Sequence, residues 1–152
     1  MNKLTLETYY QECMKEWEAE AAAQQTTVPA FFLKYSCEIL DSMGYGLADF
    51  LPGYHIVSTH AGNEYTVIDG YCYDESENML TLVLCDFCYN DTLSRLTKTD
   101  YETQVKRIEK FYHDARAGKY HNIDPSREVY PLIQLIEKGV SNTPSFDEQK
   151  GV

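Results

Sequence analysis

The stretch "EYTVIDGYCYDESENMLTLVLCDFCY", Glu64 to Tyr89, decides how this chain folds. Two runs rich in β-branched and aromatic residues, Glu64–Asp74 and Met79–Tyr89, flank the polar residues Glu75–Asn78, and together they read as a β-hairpin. With "ESEN" as the loop, Asp74 pairs with Met79 and Asp69 lies opposite Leu84. Side chains alternate faces along a strand, so Leu84, Asp86 and Cys88 share the face of Asp69. Asp69 and Asp86 then become diagonal cross-strand neighbours within reach of one cation. Two carboxylates on a partly apolar face repel one another, and one keeps its proton unless a cation intervenes. Mg²⁺ prefers oxygen ligands and often takes only one or two carboxylates. It can activate water and stabilise a leaving oxygen in phosphodiester cleavage. The structural alternative is that Asp69, followed by Gly70, only shapes the backbone and that Asp86 caps a neighbouring loop.

Outward from the hairpin, Tyr54–Thr59 reads as a preceding strand, with "AGN" turning it back into an antiparallel meander. On the N-terminal side, Leu6, Tyr10, Cys13, Met14, Trp17 and Ala21 recur at helical spacing. A second helix is expected over 29–43, capped by Thr27, with Pro29 in its first turn and Gly44 ending it. Its core stripe reads as Phe32, Tyr35, Ser36, Ile39, Leu40 and Met43, with Glu38 beside it. After the hairpin, Thr99 and Glu102 make a capping-box signature. The helix they open shows Tyr101, Val105, Ile108, Tyr112 and Ala115 on one face. Asp124 and Pro125 read as the start of a last helix with Val129, Leu132, Ile133 and Ile136 inward, and Pro131 predicts a kink in it. The expected fold class is α+β, a three-stranded sheet core flanked by about four helices. Residues 1–140 read as a single domain and 141–152 as a flexible tail.

The 152 residues, 43% of them hydrophobic, suffice for one buried core. No apolar run is long enough to cross a bilayer, and the N-terminus does not read as a signal peptide, so a cytoplasmic protein is expected. Five cysteines, an odd number, fit free thiols there. The net charge is −11, which repels nucleic acid unless basic residues cluster. Residues 1–94 hold three basic and 15 acidic side chains, whereas residues 95–152 hold 10 and nine. The most basic stretch carries Lys98, Lys106 and Lys110, the positions to which nucleic acid would bind. Acidic neighbours in the same stretch also allow a solvated mixed-charge face.

Four segments, "FFLKYSCEILDSMG", "VIDGYCYDESENMLTLVLCDFCY", "LTKTDYETQVKRIEKFY" and "IDPSREVYPLIQLIEKG", are together similar to the N-terminal region of abortive-infection phage-resistance (AIPR) family proteins. The resemblance runs from about Phe31 to Gly139, and the family's members are typically much longer than this chain. It implies a restriction-endonuclease-like PD-(D/E)xK fold, with a helix bearing an acid, a strand bearing Asp, and a strand bearing (D/E)-x-K. Carried onto this chain, Glu38 matches the helix acid, Asp69 the strand Asp and Asp86 the acid of (D/E)-x-K, with Asp69 and Asp86 as the metal ligands. The lysine position falls on Cys88, and Ile68 replaces the proline. A cysteine is short and neutral at its ordinary pKa, so it does not supply the positive charge that the lysine gives a phosphate. Lys98 or Lys106 could take over the role. The resemblance therefore implies a nuclease-related phage-defence domain with a degenerate site. The alternative is a non-catalytic module that uses its acidic, tyrosine-rich surface to bind a protein partner or itself.

The remaining signals are weaker. "CDFC" is one C-x-x-C, and a zinc site with His55 or His60 would need further ligands. Cys88 with His113 could form a thiol–imidazole pair, but buried cysteines are common without one. The hairpin tyrosines could stack bases, yet packing with the hydroxyl in water is the more usual role.

Overall fold

A computed structural model describes residues 5–58, 64–88 and 95–139. The order is α1 (Leu6–Ala23), α2 (Val28–Ser42), β1 (Leu51–Ser58), β2 (Glu64–Asp74), β3 (Met79–Val83), α3 (Lys98–Arg116) and α4 (Tyr130–Lys138). This is the α+β arrangement expected. The sheet order is β1-β2-β3 with both pairings antiparallel. The "AGN" turn lies outside the described residues. The chain divides into two compact units, residues 1–50 with 85–101, and residues 51–84 with 102–152.

In the first unit, Thr5 caps α1 and Thr27 caps α2, where the Thr27 hydroxyl accepts from Ala30 N at 3.3 Å. Trp17 packs on Phe32 (centroids 4.9 Å apart), and Phe32 on Phe87 (5.1 Å). Ala21 and Cys37 are the buried apolar points of the two helices. The expected inward stripe of α2 is corrected: Tyr35, Ile39 and Met43 are exposed, while Cys37 faces in. The helix has more apolar residues than one face needs, and periodicity does not say which face a neighbour will cover.

α3 is capped two residues before the expected position. Thr97 Oγ1 accepts from Asp100 N at 3.1 Å, and Asp100 Oδ2 accepts from Thr97 N at 3.1 Å. This is a reciprocal capping box built on Thr97–Asp100, not on Thr99 and Glu102. Thr97→Ala should therefore cost about 1 kcal/mol, read as a lower urea midpoint.

In the second unit, the "ESEN" turn forms as expected. Asp74 Oδ1 accepts from Ser76 N (2.8 Å), Ser76 Oγ (2.6 Å) and Glu77 N (3.2 Å), and these bonds, the Ser76 hydroxyl first, hold its carboxyl below the ordinary range. The register also holds, with Asp74 opposite Met79. The core joins Ile68 and Tyr71 of β2 to Phe111 and Ala115 of α3 and to Val129, Leu132, Ile133 and Ile136 at α4. Phe111, absent from the expected α3 stripe, is fully buried, while Tyr101 is exposed. The expected start of the last helix is also corrected. Asp124 O accepts from Arg127 N at 3.1 Å and its carboxylate from Ser126 N at 2.9 Å, so "DPSR" closes a turn and α4 waits until Tyr130. Pro131 then falls in the first helical turn, where its missing N–H breaks no bond, and the expected kink has no cause.

Candidate functional site

The hairpin that was to set the two aspartates side by side stops short of both. The β2–β3 ladder runs from Asp74↔Met79 to Gly70↔Val83 and goes no further. β3 ends at Val83, so Leu84–Cys88 are not strand, and the alternation argument that put Asp86 and Cys88 on the face of Asp69 does not apply to them. Tyr89, the expected strand end, lies outside the described residues.

Asp69 is half-buried on β2. It sits where the β1–β2 register also breaks, between Pro52↔Gly70 and His55↔Ile68. Three β1 steps there face two β2 steps, which is a bulge, the kind of irregularity that re-aims a side chain. Gly53 lies in the bulge, and a Cβ added to it would meet the Tyr71 ring at 3.5 Å. Glu38 is exposed on α2 and Asp86 is exposed after β3, both in the first unit, whereas Asp69 belongs to the second. Within each unit, among the described residues, no three His, Cys, Asp or Glu side chains gather at metal-ligand spacing.

Glu38 borders a hollow between α2 and the segment that follows it. Lys34, Cys37, Glu38, Asp41, Leu47, Ala48, Asp49 and Phe50 line it. Burial, and then the Glu38 charge, push the Cys37 thiol above its ordinary pKa, which keeps it protonated and unreactive. Among the described residues no disulfide joins any of the cysteines.

The basic candidates separate. Lys98 is exposed at the first turn of α3 and Lys106 is exposed two turns on. Lys110 is committed elsewhere: its Nζ donates to Asp114 Oδ2 at 3.0 Å and Oδ1 at 3.3 Å. Lys119 Nζ donates to the same carboxylate at 2.6 Å. Burial of Asp114 opposes its charge, but the hydrogen bonds from Lys119 and Lys110 outweigh this and hold its carboxyl below the ordinary range. Lys110 thus pairs with a buried acid and is a structural cation.

Sequence reasoning gave little weight to His55, which it considered only as a zinc ligand. His55 is 6% exposed on β1, with its ring 4.8 Å from Tyr120 and 5.8 Å from Phe111. Among the described residues, neither ring nitrogen has a hydrogen-bond partner, nor has the buried Thr66 hydroxyl. Burial first, and the Arg127 charge second, lower the His55 pKa. Its place among apolar strand residues in "YHIV" was the available signal. Only the packing of Phe111 and Tyr120 around it gives it meaning.

Among the described residues no helix is long and apolar enough to cross a membrane. A family model described as the abortive infection phage resistance protein N-terminal domain matches residues 32–146. No curated protein and no solved structure matches the chain.

Proposed function

This chain belongs to the abortive infection phage resistance protein N-terminal domain family, and on that premise we propose that it serves phage resistance as a non-catalytic, protein-binding domain on a restriction-endonuclease-like PD-(D/E)xK scaffold. The element order supports the scaffold: a helix with Glu38, a strand with Asp69, then a strand leading to Asp86. The observation that carries the non-catalytic reading is Cys88. It stands where the (D/E)-x-K lysine would be, and its segment has left the sheet.

Phosphodiester hydrolysis needs charge placed in advance where the phosphate becomes more negative. In an intact site of this class, Asp69 and Asp86 would hold Mg²⁺, and the metal would activate water. Two features support the non-catalytic reading: the shared ladder ends before it reaches either aspartate, and a cysteine stands where the lysine would be. Lys98 and Lys106 on α3 are the exposed candidates for a relocated amine and for nucleic-acid contact, and their mixed-charge surroundings favour neither role.

An assay of DNA and RNA degradation with Mg²⁺ or Mn²⁺ tests this. The native protein and Asp69→Ala should both leave the substrates at the level of the metal-only control. Metal-dependent cleavage by the native protein that Asp69→Ala abolishes would overturn the non-catalytic reading and restore a working nuclease.

A further inference from the structure

His55 is a buried titratable group with no part in the proposed function, and it sits at the margin of the second unit's core. Its ring meets Tyr120 edge-on at 4.8 Å between centroids, and Phe111 at 5.8 Å and a tilt of 54°. β2 offers it no charge. The pairs His55↔Ile68 and Val57↔Thr66 put Thr66, with an uncharged hydroxyl, diagonally across from His55 on the same face. α3 and the chain that follows it bring Tyr120, Arg127 and Asp114. Arg127 is a like charge that opposes a proton on the ring. Asp114 stands behind Tyr120, 3.5 Å from its hydroxyl, and its charge is already shared by Lys110 and Lys119. Aromatic rings attract a cation modestly, whereas burying an unpaired charge is costly. A proton on His55 therefore works against the packing around it.

Of the two sides of this contact, the connection between α3 and α4 is the weaker. β1 is tied to β2 by its ladder. In residues 117–128, every described backbone hydrogen bond closes onto a residue three to five positions away, and none reaches the sheet. The half-buried side chains of this connection are Tyr120 and Ile123, both packed at the edge of the core, and its other side chains are exposed. Segments with few buried apolar contacts open at a lower free energy than the whole fold. Lys119 Nζ, 2.6 Å from Asp114 Oδ1, pins the start of the connection to α3. That pin outlasts mild acid, because the Asp114 carboxyl is held below its ordinary range.

We infer that His55 is an acid-sensitive latch: a proton taken up by its ring drives it from between Phe111 and Tyr120 and releases the 117–128 connection from the sheet, while the hairpin and α4 stay packed. The released Tyr120 leaves the Phe111 ring, on which it stacks at 5.8 Å, open to water. Histidine suits this role because its charge changes near neutral pH. The latch stands apart from the protein-binding reading and holds whether or not the domain cleaves nucleic acid.

Hydrogen exchange of the full chain tests this, read by mass spectrometry between roughly pH 7.5 and 5 and corrected for the intrinsic pH dependence of amide exchange. Exchange in residues 117–128 should rise relative to β2 and α4 as pH falls below 6.5, the ordinary histidine value. The rise should reach at most about tenfold per pH unit, the limit for one proton. His55→Phe keeps a ring in place and takes up no proton, so it should abolish the rise. The native protein gives a second readout: NMR titration of the His55 ring should show a midpoint below 6.5, and the exchange rise should level off beneath that midpoint. Protection lost equally from 117–128, β2 and α4 overturns the latch, because the proton would then unfold the whole unit. So does a constant protection at 117–128, a rise that His55→Phe retains, or a ring that titrates at 6.5 or above.

Discussion

Phe111→Ala should destabilise the protein by about 3–5 kcal/mol, the range for deleting a large buried aromatic side chain. The Phe111 ring is fully buried where all three parts of the second unit meet: β2 through Ile68 and Tyr71, α3 through Ala115, and α4 through Leu132, Ile133 and Ile136. It also stacks on Tyr120 and tilts against His55, both at 5.8 Å between centroids. Rings and aliphatic side chains held by a sheet and two helices close only part of the space an alanine leaves, so a cavity term adds to the lost transfer free energy. Small proteins are stable by only about 5–15 kcal/mol, so the loss is a large share of the total. Urea unfolding should show a lower midpoint with the slope unchanged. Lys106→Ala, an exposed change on the same helix, should stay within about 0.5 kcal/mol. A Phe111→Ala protein with a native midpoint would mean that the α3–sheet packing described here is wrong.

Acid should weaken the protein through His55 before it reaches the carboxylates. In the folded state the His55 pKa is lowered from its ordinary 6.5, by burial first and then by the Arg127 charge. Phe111 and Tyr120 offer the ring no anion in exchange. Between the folded and unfolded pKa values the unfolded chain holds more protons, so stability falls as pH falls from about 6.5 toward the folded value. The slope is at most about 1.4 kcal/mol per pH unit for one group. Above that window the His55 contribution is constant. Asp114 acts separately. Its folded pKa is lowered below the ordinary 3.8, so its contribution is present above that value and is lost as pH falls through the folded one. Denaturant titrations from pH 7.5 to about 5 should show the His55 loss, and His55→Leu should flatten it. An unchanged slope in His55→Leu would assign the acid sensitivity elsewhere.

How much of this was legible beforehand differs from element to element. Glu64–Asp74, the "ESEN" turn and the Asp74↔Met79 register were all readable, because alternation and turn chemistry are local properties. The inward residues of α4, Val129, Leu132, Ile133 and Ile136, were readable for the same reason: one narrow apolar stripe leaves one choice of face. α2 has more apolar residues than one face needs, so its pattern left the edge of the buried stripe open: Phe32, Ser36 and Leu40 are partly buried as expected, while Tyr35, Ile39 and Met43 are exposed. The Thr97 box lost to Thr99 on sequence because both offer a hydroxyl with an acid three residues on, and a side chain's choice of backbone partner depends on where the helix starts. The candidate site was the least legible. Its argument required β3 to continue through Asp86, and the length of a strand depends on what pairs with it.

By itself, then, the sequence determined the kinds and order of the elements, the hairpin and its register, the α4 core stripe, and the family. All of these follow from spacing along the chain or from local turn and cap chemistry. Only the tertiary structure decided that β3 ends at Val83, that Phe111 sits at the centre of the second unit, that His55 is enclosed by rings, and that Tyr35, Ile39 and Met43 face water. Each of those depends on contacts between residues far apart in the chain, and such contacts leave no periodic trace in the segments that make them.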